Sequence, residues 1–275
     1  MKKLLIIIIG ILFTVSCSED FINLDPPSNL NSAGFYKTQV DINQAVLSAY
    51  AGLRSIYNNT AYRLGEIRSD NTGWSWLPGN PAYQLQLDEF ASPMLEDNGY
   101  VEDCWDDCYG VILRANIVIA RAGEAEFTNE NLRNQYIAEA KFIRALAYFW
   151  LNRVFGGTDL NNQLSGVVKV ETEINPQEAY ELGRASLEDC YDLIIEDLKF
   201  AEQNLPDSYH SADMGRVTKG GATGLLGKVY MTMAGYPLNK GNEYYNLAIE
   251  KFQNVINNPL FSLVPSYKDL FDVNN

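Results

Sequence analysis

A single histidine, His210, serves the whole 275-residue chain. It lies in the polar stretch "PDSYHSADMG" and reads as an exposed loop residue. Cysteine is nearly as scarce, with Cys17, Cys104, Cys108 and Cys190 making up the total of 4. Cys104 and Cys108 stand at ligand spacing, but no second Cys/His pair does, so a zinc site cannot be assembled. At i and i+4 of a helix they read as small packing residues on one face; a disulfide between them is the alternative. With so little histidine there is no Ser-His-Asp constellation, and nothing calls for a metal or an organic cofactor. Positive charge is short too: 21 Lys and Arg stand against 35 Asp and Glu, a formal charge of −14. So acidic a surface repels phosphate backbones and excludes nucleic acid as a partner. Finally, no apolar run approaches the about 20 residues that a membrane-spanning helix requires.

The apolar run that does exist is "LLIIIIGILF", residues 4–13, preceded by Lys2 and Lys3. A basic start, a short apolar stretch and the small residues Thr14, Val15 and Ser16 describe a secretory signal. It ends at Cys17, which is followed at once by Ser18, Glu19 and Asp20. A signal ending at cysteine resembles that of bacterial lipoproteins, in which the cysteine becomes the first mature residue and its sulfur carries lipid. The match departs at Thr14, where leucine is usual. An ordinary secretory signal with an incidental cysteine is the alternative. Acyl chains anchor at about 0.8 kcal/mol per buried methylene, so the implied mature protein is tethered to the membrane and does not span it. Glu19 and Asp20 resemble the acidic export tag of some surface-exposed lipoproteins. The division expected is a leader over 1–16, a lipidated tether over 17–30 and one domain over 31–275.

In that domain the hydrophobic period is helical almost everywhere. "TQVDINQAVLSAYAGLRSIY" puts Ile42, Ala45, Val46, Ala49, Leu53 and Ile56 on one stripe. "VEDCWDDCYGVILRANIVIARAGE" does the same with Trp105, Tyr109, Ile112 and Ile119, with Asn116 among them; Trp105 at that spacing reads as core. "NENLRNQYIAEAKFIRALAYFWLNRVFGG" predicts the longest helix, stopped at Gly156-Gly157. "ASLEDCYDLIIEDLKFAEQNLP", "TKGGATGLLGKVYMTMAG" and "YYNLAIEKFQNVINNP" follow, the first and last closed by Pro206 and Pro259. Ala222, Gly224 and Gly227 line a face where another helix can approach closely. The last of these helices resembles the second half of a tetratricopeptide-type pair. The fold class expected is therefore all-α dominated: a divergent tetratricopeptide-like helical-repeat scaffold carrying irregular loop insertions. A bundle without repeats is the alternative.

One segment breaks the period. "SDNTGWSWLPGNPAYQLQLDEFASP", residues 69–93, is rich in Asn, Gly and Pro and holds two tryptophans. Loops on a rigid scaffold are where binding usually resides, and exposed indoles need a reason. A glycan presents apolar ring faces rimmed by hydroxyls. Its binder therefore needs aromatic plates beside hydrogen-bonding side chains, since each buried unpaired polar group costs about 1–3 kcal/mol. Asp70, Asn71, Trp74, Trp76, Asn80 and Tyr83 supply both kinds, and Arg68 adds a fixed charge just before them. The plainer reading packs Trp74 and Trp76 onto the helices. Glu102, Asp103, Asp106 and Asp107 form an acidic cluster of the oxygen type that calcium takes, yet on a helix they point to different faces and read as solvated surface. Glycoside hydrolysis needs two carboxylates about 5–10 Å apart, and nothing marks such a pair out.

"DFINLDPPS", "FYKTQVDINQAVLSAYAGL", "CWDDCYGVILRAN", "AEAKFIRALAYFWLNRVFGG", "GRASLEDCYDLIIEDLKFAEQNLP", "GRVTKGGATGLLGKVYMTMAG" and "FSLVPSYKDLF" occur in that order after Cys17. As an ordered set they resemble the SusD/RagB family of outer-membrane nutrient-binding lipoproteins, from the signal to the last residues. The resemblance implies a helical-repeat scaffold with an irregular region that binds an oligosaccharide, less often a peptide. It also implies a partner, a SusC-like TonB-dependent barrel, to which the lipoprotein delivers ligand as a lid without doing chemistry on it. In that family "EIRSDNTGWSW" occupies a place that contributes ligand contacts. The chain departs in length: family members usually run to twice this, so a fragment or truncated product is expected. Two other functions remain from the residues: a scaffold lipoprotein with no sugar affinity and buried tryptophans 74 and 76, and a lipid-anchored glycosidase.

Overall fold

The computed structural model describes residues 35–73, 82–90, 98–158 and 161–271. The first helix, α1 (Gln39–Ser55), starts at a capping box in which Thr38 Oγ1 accepts from the Asp41 amide while Asp41 accepts from the Thr38 amide. These reciprocal bonds satisfy donors that a helix start leaves orphaned. The Thr38 amide, aimed at the carboxylate, holds Asp41 below its ordinary pKa. The stripe buries as its period requires: Ile42, Ala45, Val46, Ala49 and Ile56 are all inside. Beyond Ser55 the chain widens into two π turns, Ile56–Thr60 and Tyr62–Glu66.

A short helix, α2 (Ala82–Asp88), lies within the stretch that the sequence marks as irregular. Next come α3 (Gly99–Ala122), capped by Asn98, and α4 (Glu130–Phe155), capped by Asn129. The expected stop of α4 is real. A Cβ at Gly156 would stand 2.6 Å from the Asn152 carbonyl oxygen and 2.8 Å from Leu187, so only glycine passes there. After it the helical period fails briefly. β1 (Gly157–Thr158), β2 (Leu164–Val168) and β3 (Arg184–Ser186) form an antiparallel sheet in the order β1-β2-β3. Between β2 and β3 sits α5 (Pro176–Tyr180), with an Asn175–Glu178 capping box and proline in its first turn. The long helices α6 (Leu187–Asn204), α7 (Lys219–Ala234) and α8 (Asn242–Ile256) complete the chain.

Helices adjacent in sequence pack against one another, α3 on α4, α6 on α7 and α7 on α8, while α6 also lies along α4. Residues 123–129 join α3 to α4 and residues 235–241 join α7 to α8, and these antiparallel pairs are the stacked helical hairpins of a tetratricopeptide-like scaffold. Tyr148, Leu151, Ile194, Leu198, Leu226 and Met233 are fully buried at its centre. Each such aliphatic side chain contributes about 1.5–3 kcal/mol. Close approach of α8 to α7 depends on Gly227: a Cβ there would meet the Phe252 ring at 2.8 Å. Cys104 and Cys108 are both buried and free, small packing residues on one face of α3.

Two buried charge networks tie the layers. Asp197 on α6 accepts twice from Arg144 on α4, at 2.7 and 2.9 Å, and from Lys141 at 2.6 Å. Arg144 also donates to Asn116 Oδ1 on α3 and to the Glu171 carbonyl. In the second network Arg216 donates to Glu139 on α4 at 3.0 Å and to Asn43 on α1 at 2.6 Å. The Val217 amide donates to the Tyr50 hydroxyl. Both networks leave every charge paired, as burial demands. Outside the core, Ile256, Leu263, Tyr267 and Phe271 are exposed on α8 and the residues after it; His210 is exposed, as its sequence context implies.

Candidate functional site: an aromatic and polar cluster beside the irregular segment

Where α1 ends in π turns, α2 and the start of α3 come together. The wide turn places Arg63 between two elements distant in sequence. Its guanidinium lies 4.0 Å from the centre of the Tyr100 ring and pairs with Asp103. Tyr83 on α2 meets Tyr100 edge-on, 6.1 Å between centroids, and the Gln84 amide donates to the Tyr100 hydroxyl. Asn98 joins the parts from below. Its amide donates to the Tyr83 carbonyl at 3.2 Å and to Gln86 at 2.8 Å, while its oxygen caps α3 by accepting from the Tyr100 amide.

Arg68 is exposed and stacks over the Phe90 ring at 4.8 Å. Phe90 is itself 59% exposed and sits at a positive φ of 51°, which a side chain tolerates poorly. Asp70 and Asn71 are exposed in a turn that Ser69 and Thr72 fasten, each hydroxyl donating to the Glu66 carbonyl. The arrangement thus offers aromatic rings, two guanidinium groups and free-standing amide and carboxylate groups along one short stretch. That set suits hydroxyl-rich rings, through stacking and through hydrogen bonds.

Of the residues singled out in sequence, Arg68, Asp70, Asn71 and Tyr83 lie here. Trp74, Trp76 and Asn80 fall outside the described residues, as does Cys17. Arg63, Tyr100, Phe90 and Gln84 are additions that sequence reasoning missed. The available signal was "DNGYVEDCW", an Asn-capped helix start with an aromatic in its first turn. The acidic cluster is partly spent. Asp103 is taken by Arg63, and Asp107 accepts from Thr60 Oγ1 at 3.2 Å. Burial raises the Asp107 pKa above the usual carboxylate value, the Thr60 hydrogen bond offsetting part of the shift. Among the described residues no group of three or more His, Cys, Asp or Glu side chains could hold a metal. No described helix is long and apolar enough to cross a membrane.

Known proteins agree with this architecture. A SusD-like family described as starch-binding, associating with the outer membrane, matches residues 20–231. A SusD-like protein of Bacteroides ovatus is 30% identical over the whole of this chain and 47% of its own length. A SusD superfamily protein from Parabacteroides distasonis, known by its crystal structure, is 29% identical with a TM-score of 0.64, covering 88% of this chain and 48% of that one. A laminarin-binding SusD-like protein shares the fold at a TM-score of 0.70 and 24% identity, over 86% of this chain and 48% of its own. The chain therefore spans about half the length of the curated relatives it matches. On the strength of the family match over residues 20–231, the chain belongs to the SusD-like family.

Proposed function

We propose that this chain is a surface-exposed outer-membrane lipoprotein that binds oligosaccharide and delivers it to a SusC-like TonB-dependent transporter without cleaving it. Residues 1–16 act as the signal, Cys17 carries the lipid, residues 17–30 form the tether and residues 31–275 form the helical domain. The observation that carries the reading is the cluster of Arg63, Arg68, Tyr83, Phe90 and Tyr100 bordering the segment that bears Trp74, Trp76 and Asn80. The family description, starch-binding and associating with the outer membrane, supports it, and so does the shared fold with a laminarin-binding protein.

Two further features agree. Arg63, Tyr83 and Tyr100 already touch one another through ring contacts and the Arg63–Asp103 pair, so these side chains are positioned in advance of binding. No described helix is long and apolar enough to cross a membrane, and in this reading Cys17 supplies the anchor. The test is a titration of the purified chain, in a detergent without a sugar headgroup, with starch-derived and laminarin-derived oligosaccharides while tryptophan fluorescence is followed. Saturable change that disappears in Trp74→Ala and Trp76→Ala is the expected result. Cooperative folding with no response to any oligosaccharide would instead favour a scaffold that binds no sugar.

A further inference from the structure

A cavity of about 460 Å³ opens between α3 and the segment that joins β2 to β3. It is separate in composition from the cluster described above. Trp105, Tyr109 and Ile112 form its floor from α3, Val170 and Ile174 one wall, and Leu182 the other. Trp105, which its spacing assigns to the core, is only half-buried because this face of α3 is left open. Its volume lies within the range of small-molecule sites, about 300–1,000 Å³, and such sites are lined mostly by apolar and aromatic side chains.

The polar groups around the cavity are already committed to one another. The Tyr109 hydroxyl donates to the Val168 carbonyl at 2.6 Å. The Val170 carbonyl accepts from Asn116 and from the Tyr148 hydroxyl, and the Val170 amide donates back to that hydroxyl. Asn175 is used as the cap of α5. Charges near the rim are paired as Lys169 with Glu171 and Arg121 with Glu173. Arg184, whose guanidinium lies 5.9 Å from the Trp105 ring centre, donates to the Phe155 and Gly166 carbonyls. The hydroxyl and carbonyl groups named here are therefore occupied, and a charged guest would lose its hydration with little to replace it.

The floor also has a shape preference. Trp105 and Tyr109 lie 4.8 Å apart and tilted by 43°, with Phe155 edge-on to Trp105 at 5.2 Å. Offset and edge-to-face geometry of this kind extends readily to one more ring. We propose that this cavity is a binding site for an uncharged aromatic molecule, of the size of a two-ring system, independent of the oligosaccharide site. The back wall is fixed: Asn116 and Arg144 donate three hydrogen bonds to the carbonyls of residues 170–172, and a fourth joins Arg144 to Asn116. The front wall, from Ala179 to Leu182, is exposed and contains only a short helix.

The test uses the full chain in amphipol with 5-fluorotryptophan in place of its 4 tryptophans, read by fluorine NMR. Trp105→Phe assigns the reporting resonance and the Trp150 resonance serves as the control. The probe is 2-naphthol, with naphthalene-2-sulfonate as its charged analogue and n-decanol as an acyl-like one. A saturable shift confined to Trp105 is expected, at least tenfold weaker for the sulfonate. Ala179→Phe, which fills the cavity from its exposed wall, should lower the affinity at least tenfold with helical content unchanged, and Leu182→Asn serves if that variant misfolds. Absence of a Trp105 shift overturns the proposal, as does a shift that survives both variants. Tighter binding of n-decanol than of 2-naphthol overturns the aromatic assignment.

Discussion

Asp197→Asn is the substitution with the largest calculable consequence. Asp197 is fully buried and balances Arg144, whose side chain is 4% exposed, and Lys141. Asparagine keeps the shape and one acceptor but removes the charge, so the buried Arg144 is left with neutral acceptors only. Removing one partner of a buried pair costs about 3–5 kcal/mol. For a domain whose total stability is about 5–15 kcal/mol this is a large fraction. Taking a urea slope of about 3 kcal/mol/M, the midpoint of unfolding falls by about 1–1.7 M. Far-ultraviolet circular dichroism in urea measures it. The double variant Arg144→Met, Asp197→Leu removes both charges and should recover part of the loss. It leaves Asn116 Oδ1 and the Glu171 carbonyl without their donor, each at a cost of about 1–3 kcal/mol. The control is Glu124→Gln: that residue is 70% exposed and 3.4 Å from Arg121, a pair worth well under about 1 kcal/mol. Equal midpoint shifts for Asp197→Asn and Glu124→Gln would refute the assignment of structural weight to the buried network.

Other expectations follow from single sites. Gly227→Ala gains about 1 kcal/mol of helix propensity but presses a methyl against Phe252 at 2.8 Å and Lys251 Cβ at 3.2 Å. Overpacking costs about 1–3 kcal/mol, so the melting temperature should fall; an unchanged or higher one contradicts the close α7–α8 contact. Asp107, with a folded pKa raised by burial, binds its proton more tightly folded than unfolded. Its charge therefore costs stability that appears as pH rises above about 3.9 and is complete above the raised folded value. Asp107→Asn should stabilise the chain at neutral pH, with the gain vanishing below about pH 4; a loss of stability at neutral pH would reverse that assignment. Cys17→Ser should yield a chain without fatty acid on mass spectrometry, and acyl chains on that variant would end the lipoprotein reading.

The long helices were legible because all but α8, which buries only Ala248, carry a buried stripe at the helical period together with a start or stop of their own. Ile42 to Ile56 behind Thr38–Asp41, and the Gly156 stop of α4, are the clearest. The three-stranded sheet was not legible. Its strands are two to five residues long, too short for a period to show, and β3 pairs with β2 only after the intervening α5. Trp105 shows the limit of period reading. Its spacing is that of the core, but the segment it faces stands off and leaves an opening. For the candidate cluster, residue types could be read from the sequence and their assembly could not. Arg68, Asp70, Asn71 and Tyr83 could be marked from residue type alone. Arg63 could not, because two π turns take more residues per turn than an α-helix and rotate it off the expected stripe, toward Tyr100.

Hydrogen–deuterium exchange of the full chain, with and without a saturating starch-derived or laminarin-derived oligosaccharide, bears most directly on where a glycan binds. Slower exchange in peptides covering residues 63–83 and 98–105, with α7 and α8 unchanged, is the predicted footprint. Protection confined to α7 and α8, or no protection at any oligosaccharide concentration, would contradict a glycan site built around Arg63, Arg68, Tyr83 and Tyr100.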